Sequence, residues 1–159
     1  MLRVGLGWDF HPLVPHRPFI LGGVIIPADR GEQGHSDGDA LSHAVIDAIL
    51  GAAALGDIGE LFPPEDPAWK GANSLELLSL AWEKALAAGW RLVNLDCVVI
   101  CEAPKILPWR DAIRQSLGII LQAPPERIFI KGKTREGMGD LGQGLAVEAH
   151  AVALLEQEP

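Results

Sequence analysis

The chain has 159 residues, 48% of them hydrophobic and 21% charged, a balance that fits one folded domain spanning 1–159 and excludes a disordered chain or a multidomain machine. With 13 basic against 21 acidic residues the net charge is −8, so an anionic ligand must be gripped locally, and nucleic-acid or anionic-membrane binding through a basic surface is excluded. No apolar run approaches the roughly 20 residues of a membrane span, because Asp47, Glu83, Asp96 and Arg114 interrupt the candidates. The N-terminal MLRVGLGWDFHP meets charged and turn residues before a signal-peptide apolar region forms, and the expected location is the cytoplasm.

Residues 2–9 and 19–27 read as short strands, and the paired glycines of LGGVIIP in the second suggest a bulge or a close backbone approach. ADRGEQGH reads as a loop. Ser36 stands before an Ala/Leu/Ile run to Leu55, with Asp39 where an S-x-x-D capping box puts its acid and Gly56 as the stop, so a helix is predicted there. The Gly/Pro-rich GDIGELFPPEDPAWKG reads as a long surface loop, often functional at that length. Asn73 to Ala88 is a second predicted helix, with Leu75, Leu78, Trp82 and Leu86 near helical spacing and Gly89 as terminator.

Residues 91–101 form the most β-like run, and Pro104 and Pro108 bracket a turn before a third helix through Leu117 that ends at Gly118. A strand is predicted from Arg127 to Lys131. LAVEAHAVALLEQ mixes helix-favouring Ala and Leu with a two-residue alternation, and is assigned as a strand. Without a repeated βαβ unit, the interleaving predicts an α+β fold, a mixed sheet with helices on one face. Cys97 and Cys101 would point to one face of a strand about 13 Å apart, too far for a disulfide, and read as small buried hydrophobes.

Asp9 and His11 are two apart at the end of the first strand, so both side chains leave the same face. His43 lies four residues from Asp39 and from Asp47, giving an otherwise apolar helix one stripe of carboxylate, imidazole, carboxylate. Asp9, His11 and His43 would supply three ligands with a fourth tetrahedral position open, as in catalytic zinc sites; the same set could hold iron. The competing reading makes Asp9 and His11 turn residues and His43 a hydrogen-bonded core histidine. His35 and Ser36 precede the first-turn amides, a ready phosphate site, although Ser36 is also explained as a simple N-cap. KGKTREGMGDLGQG sets Lys131, Lys133, Thr134, Arg135 and Glu136 among five glycines. It suits a phosphate-cradling loop or a flexible solvated one, and lacks the P-loop spacing. G-x-S-x-G is absent, and no G-x-G-x-x-G follows a strand and opens a helix, which leaves serine-nucleophile and dinucleotide readings without support.

On GWDFH at 7–11, GGVIIP at 22–27, HSDGDALSHAVIDAILGAAALGDIGELFP at 35–63, EAPKILP at 102–108 and KTRE at 133–136, the chain resembles the 2-C-methyl-D-erythritol 2,4-cyclodiphosphate synthase family of the non-mevalonate isoprenoid pathway, nearly end to end. The resemblance implies that Asp9, His11 and His43 hold Zn2+, and that Glu136 helps place a second divalent cation, Mg2+ or Mn2+, through substrate phosphates. It implies transition-state stabilisation by His35 and Thr134, a phosphate contact from Ser36, and substrate contacts from Asp9, His11, Asp57, Ile58, Gly59 and Phe62. A cytidine pocket would run from Cys101 through Ala103, Pro104, Lys105, Ile106 and Leu107. Lys133 and Arg135 would add phosphate charge. It further implies a homotrimer with each site between subunits, and CMP release as a small cytidine diphosphate substrate cyclises. After Glu136 the family usually reads K-L-G-F-x-G-R-G-E-G, whereas this chain reads GMGDLGQG, and contacts there are not carried over. Two rivals share the residues: a metal-dependent phosphohydrolase with water as nucleophile, and a non-enzymatic cytidine-nucleotide or metal-binding module.

Overall fold

The computed structural model describes residues 1–157. A five-stranded mixed sheet has the order β4 (Arg30–Glu32), β1 (Leu2–Pro15), β7 (Ala146–Gln157), β5 (Trp90–Ile100), β6 (Ile128–Lys133). Only β5 and β6 run parallel; the other neighbours are antiparallel. Helices α1 (Ala40–Ala53), α3 (Ser74–Ala87) and α4 (Arg110–Leu121) cover one face, with short turns α2 (Ile58–Leu61) and α5 (Gly139–Gly142) at the edges. No helix of the described residues is long and apolar enough to cross a membrane.

Alternation along β1 decides where the site forms. Gly5, Gly7, Asp9, His11 and Leu13 share one face, and Val4, Leu6, Trp8 and Phe10 are exposed on the other. The glycines let α1 lie on the strand: a Cβ at Gly5 would sit 1.9 Å from the Ala48 carbonyl oxygen, and one at Gly7 1.8 Å from that of Ala44. Alanine at the crossing on the helix completes the close approach, and the same strand face, two and four residues on from Gly7, delivers Asp9 and His11 beside His43. All of α1 except Asp47 and Gly51 is buried, and each fully buried Leu or Ile contributes about 1.5–3 kcal/mol relative to exposure.

Several expectations are corrected. β1 runs six residues beyond Asp9 because its pairing with β7 continues to Pro12 and with β4 to Pro15. Residues 19–27 are not one strand but a hairpin, β2 (Phe19–Leu21) and β3 (Val24–Ile26), whose turn is Gly22–Gly23, both at positive φ. The expected loop after it contains β4. Helix α1 starts at Ala40 with Asp39 as its N-cap, accepting from Ser42 N, so Ser36 is not the cap; Ala54 in the left-handed region, not Gly56, closes it. Asp39 therefore does not stand on the His43 stripe but turns inward to accept from Gly22 N and Gly23 N as well. The 56–71 stretch holds α2 and a 3-10 turn at Pro67–Trp69. Gly118 is interior to α4, packed 2.8 Å from the Ala123 carbonyl oxygen at its would-be Cβ, and Gln122 caps the helix. The C-terminal segment is β7, a strand as its alternation predicts.

Candidate functional site

Asp9 Oδ2 lies 2.7 Å from His11 Nε2 and 2.9 Å from His43 Nδ1, and the two ring nitrogens are 3.2 Å apart. Tetrahedral zinc with bonds of about 2.0–2.1 Å spaces its ligand atoms by roughly 3.3 Å, so the triangle needs to open by only a few tenths of an ångström. One carboxylate oxygen and two imidazole nitrogens suit zinc or iron. Burial alone would raise the Asp9 carboxyl, but the His11 and His43 imidazoles that face it outweigh this and hold the group far below the usual carboxylate range. Burial works against a charged His11, yet the Asp9 carboxylate and the Gln33 carbonyl raise its pKa above the ordinary imidazole value. Gln33 O lies 2.9 Å from His11 Nδ1, which orients the ring with Nε2 toward Asp9.

Beside the triad is a cavity of about 220 Å³ lined by His35, Ser36, Ile58, Gly59, Phe62, Trp69 and neighbouring side chains. His35 is exposed at its mouth, whereas Ser36 is buried with its Oγ 3.0 Å from His43 Nε2. The carboxylate one turn beyond His43 serves the loop: Asp47 Oδ1 accepts from Ile58 N at 2.8 Å, tying the start of α2 to α1. Asp57 caps α2 by accepting from Glu60 N. Phe62 meets Trp69 edge-on with ring centroids 5.0 Å apart.

A second cavity, about 290 Å³, is lined by Cys101, Pro104, Lys105, Ile106, Lys133 and Thr134 among others, Leu107 included. Ala103 borders an adjoining hollow with Pro104, Asp29 and Arg30. Thr134 Oγ1 donates to Glu136 Oε1 at 3.1 Å. Glu136 has φ 53°, a left-handed backbone uncommon for Glu, and Gly137 N donates to Glu102 Oε1 at 2.8 Å, pinning the turn. Arg135 is exposed outside the cavity lining. Burial pushes the Cys101 thiol up to about 12, with Glu32 and Glu102 adding to it, so it is no thiolate nucleophile. Neither cysteine is disulfide-bonded.

The sequence-derived residues thus fall into two groups that share no lining residue. Among the described residues no hydrogen bond or ion pair joins Thr134 or Glu136 to the Asp9–His11–His43 triad. Sequence reasoning missed Trp69 and Leu77 in the first cavity and Arg110 in the second. Arg110 stands at the start of α4 with its guanidinium 4.8 Å over Phe129 and Nε donating to Ile130 O. Its place two residues after Pro108 was the available signal.

The YgbB family profile matches residues 2–156. A 2-C-methyl-D-erythritol 2,4-cyclodiphosphate synthase of Treponema denticola is 55% identical over 154 residues, 97% of this chain and 96% of that one. Among solved structures, the bifunctional IspDF of Campylobacter jejuni superposes with a TM-score of 0.95 at 38% identity, over 99% of this chain and 43% of that longer one. A 2C-methyl-D-erythritol-2,4-cyclodiphosphate synthase in a CDP-bound form gives a TM-score of 0.89 at 42% identity, over 97% of this chain and 100% of that one. Since the likeness runs through both cavities and almost every residue, the chain belongs to the YgbB family of 2-C-methyl-D-erythritol 2,4-cyclodiphosphate synthases.

Proposed function

We propose that the chain, acting as one catalytic domain, converts 4-diphosphocytidyl-2-C-methyl-D-erythritol 2-phosphate to 2-C-methyl-D-erythritol 2,4-cyclodiphosphate and CMP. An oxygen of the 2-phosphate attacks the β-phosphorus. The bond from that phosphorus to the oxygen bridging it to the α-phosphorus breaks, and CMP leaves with the electron pair. The observation that carries this reading is the convergence of Asp9 Oδ2, His11 Nε2 and His43 Nδ1 beside the cavity containing His35 and Ser36.

Asp9, His11 and His43 would hold Zn2+ and Glu136 a second divalent ion, Mg2+ or Mn2+, which when bound withdraw charge from phosphoryl oxygens. Everything else is positioning and hydrogen bonding by the chain's own groups. The nucleophile arrives with the substrate, and a phosphate monoester is largely ionised above its second pKa of about 6, so no side chain has to remove a proton. That agrees with the protonated Cys101 thiol in the second cavity. His35 and Thr134 donate hydrogen bonds to phosphoryl oxygens as charge builds, and Ser36 holds a phosphate. Asp57, Ile58, Gly59 and Phe62 place the erythritol. Lys133 and Arg135 offset anionic repulsion, and main-chain groups from Cys101 through Ala103 to Leu107 hold the cytidine. The Gly/Pro-rich segment after Gly59 closes over the substrate and excludes water, the competing nucleophile.

The functional unit is a homotrimer whose sites each join the metal cavity of one subunit to the cytidine cavity of its neighbour. Two observations support this: the two groups stay apart within one chain, and the helix-free face exposes the large apolar side chains Val4, Leu6, Trp8, Phe10, Phe129 and Val152, a grouping that suits a protein–protein contact. Mass spectrometry of products from the nucleotide substrate with Mg2+ tests the reaction. Cyclic diphosphate and CMP are expected; linear product or free phosphate would make the chain a hydrolase, and CMP binding without turnover would make it a binding module.

A further inference from the structure

Ser74 and Asp37 do not line the metal triad, yet they form a buried chain to it. His43 presents Nδ1 to Asp9 and His11 and Nε2 to the opposite side, where Ser74 Oγ lies at 2.9 Å and Ser36 Oγ at 3.0 Å. Ser74 Oγ donates to Asp37 Oδ1, and Ser74 N donates to Asp37 Oδ2 at 3.0 Å. We propose that Ser74, held by Asp37, is a positioning residue that keeps the proton of His43 on Nε2 and so leaves Nδ1 unprotonated toward Asp9 and His11. Its consequence for metal affinity rests on the reading of that triad as a metal site.

The direction of the chain follows from donor chemistry. A carboxylate only accepts, so the one hydroxyl proton of Ser74 is committed to Asp37. What Ser74 offers His43 is a lone pair, which requires N–H at Nε2. A neutral imidazole has one N–H, so a proton on Nε2 makes Nδ1 the free lone pair that a metal needs. Ser74 is fully buried, so no water competes for that contact. The device is needed because the triad pulls the other way: Asp9 Oδ2, 2.9 Å from His43 Nδ1, would favour a proton on Nδ1 and a tautomer unable to ligate.

Ser36 does not replace Ser74. Its Oγ already accepts from Gly38 N at 3.2 Å, and its proton is not committed to a carboxylate. It can therefore donate to Nε2 as readily as accept, and stabilise the wrong tautomer. Ser74 is also spared the duty of capping α3, because Asn73 Oδ1 does that by accepting from Leu75 N at 2.9 Å. Packing of α3 against α1 brings the hydroxyl to the imidazole.

The test uses full-length protein with 15N-labelled histidine, metal-free and above the pH of imidazole titration, so that the ring nitrogens of His43 report the tautomer without any metal. Wild type should carry its proton on Nε2. Ser74→Ala should move population to the Nδ1–H form, and Asp37→Asn, at a half-buried loop position, should move it less in the same direction, which keeps the test intact if Ser74→Ala does not fold. Zn2+ affinity, measured by competition with a chromophoric chelator, should weaken roughly 10- to 100-fold in Ser74→Ala. A Ser74→Ala protein with His43 still protonated at Nε2 and Zn2+ affinity within about twofold of wild type would overturn the proposal. If wild type takes up no stoichiometric Zn2+ while its tautomer depends on Ser74, the positioning role stands and the metal reading falls.

Discussion

Replacing Gly7 by Ala probes the contact that brings β1 and α1 together at the site. The added Cβ would lie 1.8 Å from the Ala44 carbonyl oxygen and 2.7 Å from Ala48 N, against a relaxed contact of roughly 3.5 Å. Both atoms are helix backbone, so no side-chain rotation relieves the clash. Strand and helix must separate by on the order of 1.5 Å, and overpacking of this kind costs about 1–3 kcal/mol or more. For a chain of this length 3 kcal/mol corresponds to a Tm loss of about 6–12 °C. The displacement also carries His43 away from Asp9, whose donor atoms now stand 2.9 Å apart, and a zinc triangle tolerates only a few tenths of an ångström of misplacement. Differential scanning calorimetry and chelator competition should therefore show a large Tm drop together with at least about tenfold weaker Zn2+ binding. Gly51→Ala is the control: nothing lies within 4 Å of its would-be Cβ in the same helix, so it should stabilise by about 0.5–1 kcal/mol through helix propensity. A Gly7→Ala protein with wild-type Tm and zinc affinity would refute the close-packing argument.

Glu32 gives a pH prediction. It is fully buried, with Oε2 accepting from Ile20 N at 2.8 Å and Oε1 without a partner. Burial pushes its carboxyl from 4.5 up to about 9, against the lowering effect of the Ile20 hydrogen bond. The folded state keeps the proton that the unfolded chain releases, so the stability this protonated group contributes is complete below pH 4.5 and is lost as pH rises toward 9. At pH 7.5 the loss reaches up to about 4 kcal/mol. Denaturant titrations should show Glu32→Gln flattening that slope, and parallel slopes for the two proteins would contradict it. Glu136→Gln should lower turnover about tenfold or more at limiting Mg2+, with partial recovery at high Mg2+ or Mn2+, unchanged zinc content and product still cyclic; a wild-type rate at limiting Mg2+ would remove Glu136 from the second cation site.

Where side-chain pattern alone decides an element, the sequence is readable. The β-branched run of β5 and the leucine spacing of α3 end within a residue or two of the expected limits. Asp9, His11 and His43 can be grouped because strand period and helix period both leave marks in the chain. Close backbone approach leaves a glycine too, but one that looks like a stop: Gly118 reads as the end of a helix although it serves packing against Ala123. The false start at Ser36 has a similar origin. S-x-x-D looks like a capping box, yet here the acid itself is the cap and the serine turns to His43. Short elements such as β4 depend on a partner strand far along the chain, and three residues carry no period. Ser74, Asp37 and Glu32 are illegible for another reason, since a long-range hydrogen bond has no sequence spacing to betray it.

Mixing two inactive variants tests most directly whether one chain carries halves of different sites. On the proposed reading, His43→Ala would disable the metal half and Thr134→Ala the cytidine half, and each homogeneous protein should be nearly inactive. Unfolded together and refolded, the two chains should assemble at random. An interface with His43 on one side and Thr134 on the other then forms about a quarter of the time. Recovery of about a quarter of wild-type cyclising activity is the expected result. Activity that stays at the level of the separate variants, in mixtures shown to contain both chains in one particle, would contradict a site built between subunits.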